Sequence, residues 1–315
     1  MIWKVSVLLV LVVALGAAVL LLTSSSKPVS VQTSNASVCR GDVVGYVAPT
    51  LFKAVSDAVG QAGMSAGGLL SIGSVEGLRR IQQGAVPDFY ASVDIELLRE
   101  VERLRPRQVY VLGRFSLGLV CRVPIGSPGE LNEVSLGIAD PNKAPVGYRA
   151  LAAVWMLKRD GYVDLLPRVE GLGVRYVETG GGINITVPPV LAPAGGIQVG
   201  VHIAATWSMV EAGVVDCMFA HRPFILSVFS QLEEVGKTEL WHVYRGVRDG
   251  KMYHVYLFTG KYSFAEDPPY EIYVVFTQGV ARVVRFEAFV ASFTERGDCV
   301  VDALRGMDLS RYGFG

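Results

Sequence analysis

The sequence predicts an α/β fold, with a mainly parallel sheet flanked by helices in each of two lobes. Three observations predict it. Short apolar runs of strand length alternate with amphipathic stretches of helix length over residues 42–121. A strand runs into a long helix through the turn Ile138-Ala139-Asp140-Pro141-Asn142-Lys143-Ala144-Pro145-Val146-Gly147-Tyr148-Arg149. A further strand–helix–strand unit closes near Phe219.

Element by element, residues 43–47 read as a strand and 51–60 as a helix. Residues 67–72 form a second strand. Residues 74–83 form a helix with Val75, Leu78 and Ile81 on one side. A third strand over 89–92 leads to a helix over 95–104, and strands follow at 109–112 and 117–121. The chain then leaves the first lobe near Arg122. In the second lobe a strand over 134–139 precedes the helix 148–160. A helix over 205–212 feeds the next strand through Gly213-Val214-Val215-Asp216. Residues 270–276 read as a strand returning to the first lobe. Residues 285–296 read as amphipathic, with Phe286, Phe289, Val290 and Phe293 on one face.

At 315 residues and 51% apolar composition, the chain is long enough for one large domain or for two lobes, each with its own core. It has 29 basic and 29 acidic side chains, scattered rather than striped, which argues against a nucleic-acid partner. Residues 5–22 are apolar or small apart from Ser6, long enough to span a bilayer core. With Lys4 ahead and no small-x-small site directly after, a retained anchor is favoured, and a cleaved signal peptide is the alternative. The expected organisation is therefore an anchor over 1–23 and a tether over 24–41. Lobe I would comprise 42–121 and 265–315, and lobe II 122–264. The folded part would stand at the extracytoplasmic face of the cell membrane, or be secreted if the helix is cleaved.

Cys39, Cys121, Cys217 and Cys299 are widely spaced and lack Cys-x-x-Cys geometry, which argues against zinc. Outside the cytoplasm they could form disulfides. Three pairings are open, as is the reading of the four as small buried hydrophobes. Cys39 sits in Ala-Ser-Val-Cys, a poor lipobox. His202, His221, His242 and His254 lack metal-ligand spacing and read as surface or packed side chains. Asp88 and Asp94 flank a strand and read as structural, within reach of Arg79 or Arg99. No nucleophile–base pair shows, so an enzyme is the weakest reading and no cofactor is expected.

The chemistry concentrates in three strand-to-helix turns: Ala48-Pro49-Thr50, Ile72-Gly73-Ser74 and the Asp140–Arg149 turn. A hydroxyl residue stands at the expected N-cap of the first two. Turns of this kind gather free amides and helix N-termini at the carboxyl edge of an α/β sheet, where ligands bind and a small oxyanion fits.

These motifs resemble the archaeal molybdate/tungstate-binding proteins of ABC transporters, of the type II periplasmic-binding-protein class. Gly73-Ser74-Val75 followed by Arg79-Arg80-Ile81 is similar to the family's Gly-Ser-Val segment. Asp88-Phe89-Tyr90-Ala91-Ser92-Val93-Asp94 is similar to its Asp-Val-x-Ala-Ser-Ala-Asp strand. Pro145-Val146-Gly147-Tyr148-Arg149-Ala150-Leu151 resembles its Pro-x-Gly-Tyr-Arg-Ser-Leu turn, and Glu211-Ala212-Gly213-Val214-Val215-Asp216 with Phe219 its Glu-Ser-Gly-Glu-Ile-Asp strand. The resemblance implies a solute receptor, not an enzyme, whose two lobes close on molybdate or tungstate. A permease and its ATPase would be its partners. It also places the ligand at Pro49, Thr50, Ser74, Asn142, Lys143, Ala144 and Ala220. Two departures stand out. Pro49 removes a backbone donor. Ala144 and Ala220 occupy the positions of the two family carboxylates that reach the metal. The expected ligand is therefore an intact tetrahedral oxyanion held outer-sphere by amides and hydroxyls, with no protein oxygen on its metal. A different anion, or a ligand-free sensor or scaffold, are the alternatives.

Overall fold

The computed structural model describes residues 38–315. The apolar stretch 5–22 and all but the last residues of the expected tether lie outside the described residues. Among the described residues no helix is long and apolar enough to cross a membrane.

The chain begins with strand β1 (Asp42–Val47), helix α1 (Phe52–Gln61), β2 (Ser65–Ser71), α2 (Ser74–Gln82), β3 (Phe89–Ser92), α3 (Leu98–Arg103) and β4 (Gln108–Arg114). Then come β5 (Leu117–Cys121), β6 (Leu136–Ala139), α4 (Pro145–Arg159), α5 (Leu166–Glu170), β7 (Arg175–Thr179), β8 (Gly182–Thr186) and β9 (Ile197–Gly200). Helix α6 (Ile203–Glu211), β10 (Cys217–His221), α7 (Arg222–Val228), β11 (Leu232–Lys237), β12 (Trp241–Arg248) and β13 (Lys251–Phe258) follow. The chain ends with β14 (Glu271–Phe276), β15 (Gly279–Arg282), β16 (Glu287–Ser292) and α8 (Glu295–Arg305).

Three sheets result. The first runs β2-β1-β3-β16-β4, the second β11-β12-β13-β5-β10-β6-β9, and a smaller one β15-β14-β8-β7. In the first, β1 lies parallel to β2 and β3, and β16 runs antiparallel to both β3 and β4. In the second, β6 lies parallel to β9 and β10, and β5 runs antiparallel to both β10 and β13. The two sheets therefore share one five-strand motif, four strands of one direction with a reversed strand between the third and fourth, β16 in the first and β5 in the second; the second sheet adds the antiparallel β12 and then β11 beyond β13. That reversed strand is in each case the one the chain enters on arriving from the other lobe. Parallel strands need crossover helices on their faces, and the alternation seen in the sequence is the trace of those crossovers.

Two strands pair differently from the sequence reading. Leu117–Cys121, read as the end of lobe I, pairs with β10 and β13 in the seven-stranded sheet. Glu271–Phe276, read as returning to lobe I, pairs in parallel with β8 and antiparallel with β15. Its apolar alternation matches a strand in either sheet, so pattern alone could not choose between them. The amphipathic stretch 285–296 is mostly β16. That strand lies between β3 and β4 and is covered on both faces, so all but its first residue are buried and helix-like spacing is accidental. The helix begins only at Thr294, whose side chain accepts from the Gly297 amide.

Helix α4 is the spine of the second lobe. Every residue from Pro145 to Leu157 is buried, as expected of a helix apolar all round. Pro145 stands in its first turn, where a missing N–H costs nothing. All four cysteines are paired: Cys39 with Cys299, and Cys121 on β5 with its direct neighbour Cys217 on β10.

Candidate functional site

The carboxyl ends of β1, β2 and β3 in the first lobe and of β6 and β10 in the second carry the loops that meet across the lobes. Pro49 opens a 3-10 turn, Pro49–Leu51, ahead of α1, and buries Thr50. The N-cap here is Ala48, and that of α2 is Gly73; neither makes a side-chain cap. Thr50 and Ser74 thus sit just inside their helices rather than on the caps, which frees both hydroxyls from capping. The Ser74 Oγ accepts from the Val93 amide at 3.3 Å, and its carbonyl accepts from the Tyr90 hydroxyl at 2.6 Å.

Across the lobes, the Thr50 Oγ1 and the His221 Nδ1 lie 3.0 Å apart, both groups buried. His221 is the last residue of β10, directly after Ala220, which is fully buried opposite Gly118 of β5. The imidazole is wedged edge-on against Phe286 and Phe115, with ring centroids 4.5 and 5.1 Å away. Burial, with the nearby Arg149 charge adding to it, holds the ring well below the usual histidine range, so it is neutral at pH 7. Its Nε2 is buried without a hydrogen-bond partner. A hydroxyl donating to Nδ1 leaves Nε2 as an N–H donor.

The Asp140–Arg149 turn is also at the interface. Gly73 passes so close to it that a Cβ there would stand 2.8 Å from the Lys143 carbonyl oxygen. Its amides, however, serve the turn itself. The Asn142 N–H donates to the Asp140 carboxylate at 3.0 Å. Those of Lys143 and Ala144 donate to the Asp140 carbonyl at 3.0 and 2.9 Å. The Asn142 side chain turns away to the Pro188 carbonyl, and the Lys143 ammonium lies 3.6 Å from the Asp140 carboxylate. With the Thr50 hydroxyl donating to His221, the side-chain donors open to an anion in this conformation are the Ser74 hydroxyl and His221 Nε2, not Asn142 or Lys143. Ala144 is the buried N-cap of α4.

Deeper in the interface, Asp94 follows β3 and meets Tyr148 and Arg149 of α4. It does not pair with Arg79 or Arg99. Tyr148 donates its hydroxyl to Asp94, and Arg149 Nη2 lies 3.2 Å from the same carboxylate. Asp88 instead accepts from the Val44 amide and the Thr294 hydroxyl. Nearer the surface, a cavity of about 140 Å³ lies between α1, α7 and the turn Leu309–Tyr312, with Lys53, Asp57, Ser227 and Arg311 on its walls. Thr50 lines it; the other expected ligand positions do not. Among the described residues no cluster of His, Cys, Asp and Glu has the makings of a metal site.

No protein-family model matches the sequence, and no curated protein matches it. Among solved structures, the periplasmic molybdate-binding protein of Azotobacter vinelandii is similar over 87% of this chain and 98% of its own, at 12% identity and a TM-score of 0.55. The chain has the two-lobed type II periplasmic-binding-protein fold. The sulfate-binding protein SubI from Mycobacterium tuberculosis H37Rv is more distant, at 11% identity and a TM-score of 0.49 over 87% of this chain and 86% of its own.

His221, Tyr148, Arg149 and Asp94 are absent from the expected ligand set, yet they make up much of the inter-lobe contact. The sequence carried one signal for His221, its place directly after Ala220 at the end of a strand that opens a helix. The others lay inside the matched motifs, where Tyr148 and Arg149 read as helix residues.

Proposed function

We propose that the protein is an extracytoplasmic solute receptor that takes a small tetrahedral oxyanion, molybdate or tungstate, between its lobes and delivers it to an ABC permease and its ATPase. One observation carries this reading: Thr50 and His221 meet across the lobes in a buried setting, with the second imidazole nitrogen unpartnered. A buried polar nitrogen without a partner is costly; in the tautomer in which Thr50 donates to Nδ1, Nε2 carries the proton, and an anion oxygen is the acceptor that relieves it. The Ser74 hydroxyl and the amides at the start of α2 supply further donors at the same carboxyl edge. Charge-assisted hydrogen bonds are worth roughly 1.5–3 kcal/mol each, so a handful suffices for tight binding. The fold supports the role, since the periplasmic molybdate-binding protein of Azotobacter vinelandii has a similar one. Two disulfides support an oxidising compartment outside the cytoplasm. The apolar stretch 5–22 would tether the receptor to the membrane, or be removed to release it. Ala144 and Ala220 leave no carboxylate to bond the central atom, so the anion would be held outer-sphere.

Isothermal titration of the full-length chain in detergent with molybdate, tungstate and sulfate tests this. Saturable heat with molybdate or tungstate is expected. No heat with any of the three sinks the reading. A second reading, a scaffold that has kept the fold without the ligand, is favoured by the cross-lobe contacts of Asp94, Tyr148 and Arg149, which join the lobes through protein groups alone. Permease and ATPase genes beside this one would favour transport over it.

A further inference from the structure

Among the described residues the most heavily bonded buried charge is Arg149, and the receptor role gives it no task. Its side chain is fully buried. It leaves α4 in the second lobe and bonds in three directions. Nε donates to the Val284 carbonyl at 2.9 Å, and Nη2 to the Arg285 carbonyl at 3.0 Å, both just ahead of β16 where the chain re-enters the first lobe. Nη1 donates to the Tyr148 hydroxyl at 2.9 Å. Nη2 also reaches Asp94 of the first lobe, whose other carboxylate oxygen accepts from the Tyr148 hydroxyl. The guanidinium plane lies over the Phe286 ring, 4.4 Å from its centroid.

A buried ion pair holds two surfaces together only when its geometry is good and its remaining donors are filled; otherwise desolvation cancels the attraction. Here Nε and both terminal nitrogens of Arg149 are bonded, and both oxygens of Asp94 are bonded, the Oδ1 also by the Glu96 amide at 3.3 Å. The planar fork of arginine suits this many fixed acceptors, which a lysine could not meet. Thus the positive charge at the base of the cleft already has its anion, and the anion belongs to the opposite lobe.

We infer that Asp94 is a built-in anion that holds the two lobes shut through Tyr148 and Arg149, so that the closed arrangement is the resting state of the unliganded protein. An outside ligand then does not drive closure, because it can favour the shut state only by differential affinity, and the internal pair already supplies that bias. Entry of a solute would require the Asp94–Arg149 pair to part first. The inference concerns the unliganded chain and holds whether or not an oxyanion binds.

The test is a distance measurement by pulsed electron paramagnetic resonance on the full-length chain in detergent. Spin labels go on Gln83→Cys, exposed at the end of α2, and Ala212→Cys, exposed at the end of α6; the native cysteines are all in disulfides. The expected result is one short, narrow distance without ligand, unchanged by excess molybdate. Asp94→Ala should lengthen and broaden it, and added formate, filling the vacated carboxylate site, should restore it. Asp94→Asn, which keeps the shape and removes the charge, and Tyr148→Phe, which removes one hydroxyl, should shift it in the same direction if the alanine variant does not fold. A long distance that shortens only on adding molybdate overturns the inference. So does an Asp94→Asn or Asp94→Ala chain whose distance matches the parent's. A chain that stays shut yet gives no heat with any oxyanion would leave this inference standing and end the receptor reading.

Discussion

A methyl group added at Gly147 would stand 2.1 Å from the carbonyl oxygen of Ala139, at the point where the first turn of α4 packs on the end of β6. Only a residue without a side chain lets the helix N-terminus approach the strand this closely. Gly147→Ala is therefore expected to lower stability by about 1–3 kcal/mol, the usual cost of overpacking, read as a drop in the urea midpoint. Ser74→Ala tests the proposed ligand set: loss of a buried donor should weaken molybdate binding by roughly 1–3 kcal/mol, and an unchanged dissociation constant would remove Ser74 from it. His221 adds a pH signature. Its folded value lies well below the unfolded value of about 6.5, chiefly from burial and secondarily from Arg149. Between those two values the unfolded chain binds the extra proton, so the contribution is complete above about pH 6.5 and drains away as pH falls through the window. The parent should lose more unfolding free energy than His221→Gln between pH 8 and pH 5, the difference growing with a limiting slope of about 1.4 kcal/mol per pH unit below about pH 6.5.

The elements show where sequence reasoning succeeds and where it stops. Helix α2 and strand β3 were legible almost to the residue, because Val75, Leu78 and Ile81 repeat at helical spacing and Phe89–Ser92 lies between polar breaks. Strand β16 was not. A strand covered on both faces loses its alternation, and Phe286, Phe289, Val290 and Phe293 then fall at helix spacing by chance. The hairpin β11–β12–β13 went unread, although Trp241, Tyr253 and Tyr256 are fully or nearly buried in it. The candidate site was legible as loops but not as atoms. Thr50 and Ser74 are buried where the lobes meet. That Asn142 and Lys143 fold back on Asp140, and that His221 faces Thr50, depend on rotamers and pairings that no linear pattern encodes. At this scale the disulfide linking Cys39 to α8 is open to test. It closes a separation of 260 residues, and Cys299→Ser should cost roughly 2–4 kcal/mol of unfolding free energy. Thermal unfolding with and without reductant should show a larger loss in the parent, which has both bridges to lose, than in the variant, which keeps only Cys121–Cys217.

For the whole molecule, the repeated sheet plan matters more than any one loop. Both lobes take their reversed strand from the chain as it arrives from the other side, so neither sheet is complete without a crossing. The alternation of strands and helices was enough to predict α/β layers with a mainly parallel sheet, but not which sheet each crossing strand joins. At this level Gly73 is a gauge of closure. Its Cα passes beside the Lys143 carbonyl of the other lobe, and an added Cβ would lie only 2.8 Å from that oxygen. Gly73→Ala should therefore push the lobes apart at that edge. Faster hydrogen exchange across 141–147 and 72–75 is expected, with exchange in the sheet interiors unchanged.

The Cys39–Cys299 link also decides how the molecule answers a mechanical pull. Force on the segment ahead of residue 38 would otherwise shear β1 away from β2 and β3, one ladder bond after another. With the sulfur bridge in place, the load passes at residue 39 straight into the first turns of α8, a helix that packs against α1, β16 and β4. Tension is then shared by the two termini at once, and peeling from the front is forbidden until that covalent clasp is cut.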